Sequence, residues 1–296
     1  MEPARAADRP SPVTGLRPGP GARVAIIGDV GGHADALRAE LARLGVPDDG
    51  TGPIPPELHI VQVGDLVHRG PDSAAAVALA DRHLQRSPGN WIQLLGNHEA
   101  FYLQRLRQFT WSERVPRHTA ATLKRWWSDG QLRVAVAVHA GAESFVITHA
   151  GVTRGFWTEV LGAETDADKV AEGLDELRRS NRRALFTPGT MLGFRTPTPN
   201  AGPIWAAAGP ELMAGWLEHP MPFSQAHGHT SVYDWDNRRW HADRGVRDRI
   251  SVDSEAKHIT VTLPGGRLVG VDPGQDALAA GRWRSFELSG DDRDDQ

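Results

Sequence analysis

The sequence predicts a layered α/β domain. The first half of the chain alternates short apolar strands with helical segments, and the second half is rich in strands. In addition, several of the strands run directly into a polar turn that contains glycine. A chain of 296 residues, of which 40% are hydrophobic, is long enough for one large domain with a sizeable buried core.

The first half of the chain repeats a strand followed by a helix. Strands are predicted over residues 23–27, 58–63 and 91–95. Helices are predicted over 36–44, over 73–85 and as one long region over 101–127. In the first helix the apolar residues are spaced mostly by three and four, and Gly45 ends the pattern.

The second half of the chain is dominated by strands. A hairpin is predicted over 134–138 and 144–148, and a charged helix over 169–183. Residues 187–203 form a long loop rich in Gly, Pro and Thr, and loops of this length are often functional. Further strands are predicted over 223–226, 249–252, 258–263 and 267–271.

The composition of the two ends differs from that of the rest. Residues 1–21 are rich in Pro, Ala, Arg and Gly without periodicity, which predicts a flexible leader. Residues 289–296 are acidic and predict a solvated tail. The domain is therefore expected to span residues 22–288.

Charge and hydropathy exclude several classes of protein. The formal net charge of −4 gives no basic field, so we expect no nucleic-acid binding. No apolar run has the length of a membrane span, and the N-terminus lacks the core of a signal peptide. These features predict a cytoplasmic protein without membrane contact.

The absence of cysteine restricts any metal chemistry. With no cysteine in the chain, disulfides and thiolate ligands are both excluded. A metal ion would have to be bound by Asp, Asn, Glu or His, and these ligands suit Mn, Fe, Zn or Mg.

Five strand ends carry residues that can bind metal ions: Asp29, Asp65, Asn97 with His98, His149 and His229. Each residue alone has an ordinary structural explanation, such as a turn residue, a helix N-cap or a hydrogen-bonded histidine. Together, at one edge of one sheet, they supply the oxygen and nitrogen ligands of a two-metal site. Two cations about 3.5–4 Å apart clamp a phosphate and lower the pKa of a water between them.

The motifs at these strand ends resemble those of the calcineurin-like metallophosphoesterases. Among these, the chain is most similar to the phosphoprotein phosphatases and the bacterial diadenosine tetraphosphatases. The resemblance covers residues 24–271 and rests on Gly28-Asp29, Gly64-Asp65-Leu66-Val67-His68-Arg69-Gly70, Gly96-Asn97-His98-Glu99, His149-Ala150-Gly151 and Gly228-His229-Thr230. It implies a four-layer sandwich of two mixed β-sheets flanked by helices.

The resemblance also implies a role for each residue of the site. Asp29 and Asp65 would bind the first metal, and Asp65 would bridge to the second. The other ligands of the second metal would be Asn97, His149 and His229. His98 would be the general acid that protonates the leaving oxygen. Arg69 would assist catalysis by binding phosphate oxygens, with Asn97 as a further substrate contact.

Three features depart from the family pattern. The family usually has a metal-binding histidine where this chain has Gly31, and His33 is the nearest candidate to replace it. His68 stands where protein phosphatases have an aspartate that pairs with the catalytic histidine. A second arginine that binds phosphate is expected, and Arg195 in the long loop is the candidate.

The predicted function is hydrolysis of a phosphomonoester by metal-bound hydroxide. The preferred substrate class is the phosphomonoesters, which include phosphoserine and phosphothreonine of proteins. Mn is the first choice of metal, and Fe, Zn and Mg stay open. One alternative is a hydrolase of dinucleoside polyphosphates such as diadenosine tetraphosphate. Another is a protein with a degraded site that binds phosphate or nucleotide without turnover.

Overall fold

The computed structural model describes residues 15–103, 109–192, 196–242 and 244–290. The strands are β1 Gly15–Leu16, β2 Arg23–Ile27, β3 Leu58–Gln62, β4 Trp91–Leu94, β5 Leu132–Arg133, β6 Ala135–Ala140, β7 Glu143–Thr148, β8 Ser224–His227, β9 Tyr233–Asp234, β10 Arg239–Trp240, β11 Ile250–Asp253, β12 His258–Leu263, β13 Gly266–Gly270 and β14 Phe286–Ser289. The α-helices are α1 Ala34–Arg43, α2 Pro47–Gly50, α3 Ser73–Arg86, α4 Asn97–Leu103, α5 Arg117–Asp129, α6 Arg154–Glu159, α7 Ala167–Ser180, α8 Arg182–Leu185, α9 Ala214–Trp216 and α10 Gln275–Ala279. Short 3₁₀ segments lie at Thr190–Leu192 and Arg244–Arg249, and a π-helical segment at Ala208–Met213.

Two mixed sheets form the centre of the domain. The five-stranded sheet has the order β14-β2-β3-β4-β5, in which β2 to β5 are parallel and β14 is antiparallel. The seven-stranded sheet has the order β1-β6-β7-β8-β13-β12-β11, and its strands β7, β8 and β13 are parallel neighbours. Strands β9 and β10 form a separate two-stranded ribbon.

The core lies on both faces of each sheet. Between the sheets, Val61 and Ile92 belong to the same buried cluster as Phe145 and Ile147. Helices α1, α3 and α5 contribute to a second buried cluster with the outer face of the five-stranded sheet, and α7 packs on β6 and β7. Each fully buried aliphatic side chain contributes about 1.5–3 kcal/mol to the free energy of unfolding. The two facing sheets with helices on their outer faces confirm the predicted four-layer sandwich.

Local sequence signals set several helix ends. The Asp72 carboxylate accepts the backbone N–H of Ala75 at 2.8 Å and starts α3. Asp166 starts α7 in the same way. Gly130, with φ of 79°, ends α5 in the left-handed conformation that glycine adopts without steric cost.

The predicted helical region over 101–127 is wrong in one respect, because it contains two helices. Helix α4 reaches Leu103 and α5 begins after Pro116, while residues 104–108 lie outside the described part. Proline cannot continue a helix from its N-terminal side, which places the start of α5. The predicted charged helix over 169–183 is likewise divided, because Asn181 ends α7 and its side chain caps α8.

The ends of the domain extend beyond the predicted limits. Gly15 and Leu16 lie inside the predicted leader, yet they form β1 and pair in parallel with β6. Ser289, in the predicted tail, is the last residue of β14. Residues 1–14 and 291–296 lie outside the described part of the chain.

Candidate metal centre and active site

The five predicted strand ends meet in one place, but they come from two sheets. Asp29, Asp65 and Asn97 follow the parallel neighbours β2, β3 and β4 of the five-stranded sheet. His149 and His229 follow the parallel neighbours β7 and β8 of the seven-stranded sheet. The expectation of a single sheet is therefore wrong, because the facing sheets direct the carboxyl ends of these strands toward the same centre.

The backbone at this centre is unusually strained. Asp65 and His229 have φ of 54° and 63°, in the left-handed region that non-glycine residues rarely adopt. A Cβ atom on Gly96 would collide with the carboxylate of Asp65, and one on Gly228 would collide with that of Asp29. The glycines in these motifs thus permit close approach of backbone and carboxylate. Such strain is concentrated at functional sites.

His149 and Asn97 direct two acceptor atoms at each other. The Nδ1–H of His149 donates to the carbonyl oxygen of Val63 at 3.0 Å, so Nε2 of the neutral ring carries a lone pair. That Nε2 lies 2.9 Å from Oδ1 of Asn97 and 3.5 Å from Oδ1 of Asp65. A cation held between these atoms would relieve the repulsion of their lone pairs.

His229 completes a group of metal-binding atoms. One donor atom each from Asp65, His149 and His229 lies within 4.8 Å of the others. The Nε2 atom of His229 is buried and has no hydrogen-bond partner among the described residues. Burial and the neighbouring His149 hold the pKa of His229 well below its usual value, so the ring is neutral and its Nε2 could bind a metal ion. This donor set fits a divalent cation of the Mn, Fe or Zn type.

Asp29 lies beside this group, where the negative charges of neighbouring carboxylates act on it. Its oxygens accept the backbone N–H of His229 at 3.0 and 3.2 Å. Burial, with the nearby charges of Asp272 and Asp65, raises the pKa of Asp29 well above its usual value. A divalent cation would offset this repulsion between carboxylates and return Asp29 to its ionised form.

A buried glutamate fixes the position of Asp65. The Glu99 carboxylate accepts the backbone N–H groups of Asp65 and Leu66, both at 2.8 Å, and of Gly96 at 3.1 Å. Burial and the charge of Asp65 raise the pKa of Glu99 to about 8. Burial also acts to raise the pKa of Asp65 itself, but neighbouring histidines, with His98 first, lower it. Glu99 therefore ties the turn after β3 to the start of α4.

The position of the missing family histidine is filled by another residue. A Cβ atom on Gly31 would lie only 2.8 Å from Nε2 of Gln275. The Nε2 atom of His33 lies 3.1 Å from Oε1 of the same glutamine. His33 does not belong to the group formed by Asp65, His149 and His229 within the described ranges.

Sequence reasoning missed one carboxylate of the centre. Asp272 follows β13, the parallel neighbour of β8, and lines the same cavity as His229. Burial raises its pKa, and its charge raises the pKa of Asp29 more strongly than the charge of Asp65 does. Like Asp29 and Asp65, Asp272 directly follows a predicted apolar strand, but no glycine stands next to it, since the local sequence is Val271-Asp272-Pro273-Gly274.

His98 lies at the side of the metal-binding group. It is 2% exposed, its backbone N–H donates to Oδ1 of Asp65 at 2.9 Å, and its Nε2 lies 3.8 Å from Oδ2. The Nδ1 atom is 3.2 Å from the carbonyl oxygen of Val67 and 3.0 Å from Nδ1 of His68. Burial lowers the pKa of His98, against the opposing charge of Asp65.

Arg69 is exposed at the mouth of the site. Its guanidinium lies 5.7 Å from the ring centre of Trp111, and its backbone N–H donates to Glu113 at 2.9 Å. Arg69 also lines a cavity of about 440 Å³ together with His229 and Asp272. Arg195, the other predicted phosphate ligand, lies outside the described residues.

Comparison with known proteins assigns the family. The sequence model of the calcineurin-like phosphoesterases matches residues 22–260. The chain belongs to this family. The predicted resemblance is thus confirmed, and this phosphoesterase is a hydrolase of phosphoric esters from a family that uses divalent metal ions.

Three solved structures are similar to this chain, and the first of them shows the same fold. A cold-active protein tyrosine phosphatase solved at 1.1 Å is 18% identical, with a TM-score of 0.52 over 98% of this chain and 82% of that chain. The cold-active enzyme from a psychrophilic Shewanella species is 17% identical, with a TM-score of 0.49 over 98% and 84%. A serine/threonine phosphatase from Saccharomyces cerevisiae is 13% identical, with a TM-score of 0.46 over 93% and 82%.

No curated protein sequence matches the chain. Among the described residues of the phosphoesterase, none of the helices combines the length and the apolar character that a membrane crossing requires.

Proposed function

We propose that this phosphoesterase hydrolyses phosphomonoesters at a two-metal centre, with phosphoserine or phosphothreonine of proteins as the substrate class. The observation that supports this most strongly is the buried group of Asp65, His149 and His229, with His98 beside it. A site that only binds phosphate would not need an imidazole held next to a metal-binding group.

The residues present fit two cations of unequal surroundings. Asp29 and Asp65 would bind the first, and Asp65, Asn97, His149 and His229 the second. We propose Mn²⁺, because the ligand set mixes oxygen and nitrogen. If bound, the cations would neutralise phosphate charge and would lower the pKa of a water molecule.

The remaining steps belong to side chains of the chain itself. Arg69 would bind the phosphate oxygens with its planar fork, and the stacked Trp111 ring limits where the guanidinium can lie. As water adds to phosphorus, the bond from phosphorus to the leaving oxygen breaks. Nε2 of His98 would give its proton to that oxygen, and the products are phosphate and an alcohol.

The cavity next to Arg69 favours a monoester over a polyphosphate. Its described lining includes three aspartates, Asp234, Asp236 and Asp272, but Arg69 is the one arginine or lysine in that lining. The chain of phosphates in a dinucleoside tetraphosphate would place several negative charges against these carboxylates. A single phosphate group on a neutral or basic segment avoids this repulsion.

The test is hydrolysis of p-nitrophenyl phosphate by metal-stripped protein, with and without Mn²⁺, beside Asp65→Asn. We expect Mn²⁺ to restore turnover in the wild type, with at least about a 10³-fold loss in the mutant, since an enzyme that has lost its metals loses most of its rate enhancement. Phosphopeptides and diadenosine tetraphosphate are then compared at equal concentration. Faster cleavage of the tetraphosphate would overturn the substrate class, and phosphate binding without product release would overturn catalysis.

A further inference from the structure

We propose that His68 and Tyr102 position the imidazole of His98, in place of the aspartate that protein phosphatases carry at position 68. This inference rests on the proposed function, because it assumes that His98 is the proton donor. His68 and Tyr102 would not touch the substrate. Their role is to fix the tautomer and the orientation of the His98 ring, which would contact the substrate.

The three side chains form a continuous chain of short contacts. Nδ1 of His68 lies 3.0 Å from Nδ1 of His98, and Nε2 of His68 lies 2.6 Å from the hydroxyl of Tyr102. That hydroxyl also accepts the backbone N–H of Val115 at 3.0 Å. His68 is fully buried, so both of its ring nitrogens depend on these partners.

The carbonyl oxygen of Val67 decides which nitrogen carries each proton. A carbonyl can only accept, and it lies 3.2 Å from Nδ1 of His98, so that nitrogen must be protonated. Nδ1 of His68, facing the same proton, must then be the acceptor. The proton of neutral His68 consequently sits on Nε2 and is donated to Tyr102.

This arrangement gives His68 the acceptor role of the missing aspartate. With its Nδ1–H engaged, His98 keeps Nε2 as the atom that takes up a proton and delivers it to the leaving oxygen. The ring of Trp111 stacks on His68 at 5.6 Å and contacts His98 at 4.8 Å, which restricts rotation of both imidazoles. Burial, followed by the charge of His98, lowers the pKa of His68 to about 3, consistent with a neutral acceptor.

The leaving group of the substrate distinguishes a positioning role from a structural one. Phenyl phosphate needs protonation of its leaving oxygen, whereas 2,4-dinitrophenyl phosphate does not. We expect His68→Leu to lower kcat about 100-fold on phenyl phosphate and less than fivefold on the dinitrophenyl ester. An equal loss of kcat on both esters would overturn the positioning role of His68 while leaving the proposed function intact. A wild type that cleaves neither ester would overturn the proposed function itself.

His68→Asn tests the acceptor directly. The amide oxygen of asparagine can occupy the place of the imidazole Nδ1, so we expect this variant to recover most of the kcat on phenyl phosphate. His83→Leu is the matched control, because His83 is also fully buried and stacks on a tryptophan, Trp91, at 5.2 Å. The positioning role of His68 is contradicted if His68→Asn is as slow as His68→Leu, or if His83→Leu shows the same dependence on the leaving group.

Nuclear magnetic resonance gives a readout that is independent of activity. In Mg²⁺-loaded protein labelled with ¹⁵N-histidine, we expect the proton on Nδ1 of His98 and on Nε2 of His68. Tyr102→Phe should weaken this preference at His68 while the fold is retained. A proton on Nδ1 of His68 in the wild type would overturn the assignment.

Discussion

The two halves of the proposed metal centre differ in their chemistry. In one half, Asn97, His149 and His229 converge on Asp65, and the tautomer of His149 is fixed by the carbonyl of Val63. In the other half, Asp29 stands near Asp272, while a glycine and Gln275 occupy the place where the family has a histidine. We infer that the first half binds its cation firmly and the second half exchanges it more easily, because oriented imidazoles raise affinity for Mn, Fe and Zn.

Replacing His229 in the first half and His33 in the second half should have very different consequences for Mn²⁺ binding. We expect His229→Ala to lower Mn²⁺ affinity at least about 100-fold and to abolish measurable turnover, because it removes the proposed ligand atom Nε2. The same change at His33 should alter affinity by less than about threefold, since its Nε2 contacts Gln275. Bound metal is measured after gel filtration, together with hydrolysis of p-nitrophenyl phosphate. Equal losses of Mn²⁺ affinity in the two variants would contradict the proposed difference in affinity between the two halves.

Local sequence patterns identify some residues of the candidate site and not others. Asp29, Asp65 and Asn97 were predictable because each follows a short apolar strand that is recognisable locally. Asp272 also follows an apolar strand, but it lacks the Gly-Asp pair that marks Asp29 and Asp65. The contact of His33 with Gln275 spans 242 residues, so no local pattern indicates it.

The fold shows the same division. Most strands and the polar residues at their ends follow from local patterns, which predicted a layered α/β domain. The four-layer sandwich followed from the family resemblance. That β7 and β8 belong to a different sheet from β2, β3 and β4 depends on long-range pairing. The partnership of His68 with Tyr102 likewise depends on how α4 packs against the turn after β3.

Restoring a histidine at position 31 should reduce the difference in Mn²⁺ affinity between the two halves. Gly31 has φ of 51°, and a side chain there meets Gln275, so we expect Gly31→His alone to destabilise the protein by about 1–2 kcal/mol. Combined with Gln275→Ala, the new imidazole should tighten the weaker Mn²⁺ site about tenfold. The control is Gly31→Ala with Gln275→Ala, which opens the same space without a ligand. Equal Mn²⁺ affinity in the two double mutants would show that position 31 does not face the metal.

The smallest expected effect is the pH dependence of stability. Burial lowers the pKa of His227 to about 4, below about 6.5 in the unfolded chain. As the pH falls below 6.5 the unfolded state binds the proton first, so stability falls, by about 2 kcal/mol at pH 5 from this residue. In metal-free protein, His227→Gln should flatten the change of Tm between pH 7.5 and 5, with the exposed His219→Gln as control. An unchanged slope in His227→Gln would contradict the buried neutral ring.

Titration of metal-stripped wild-type protein with Mn²⁺ by calorimetry tests the unequal two-metal centre most directly. We predict two ions per chain in two classes whose affinities differ at least about tenfold, given the contrast between imidazole and carboxylate ligands. Two sites of equal affinity would contradict the difference between the halves. Binding of a single ion, or of none, would contradict the two-metal centre itself.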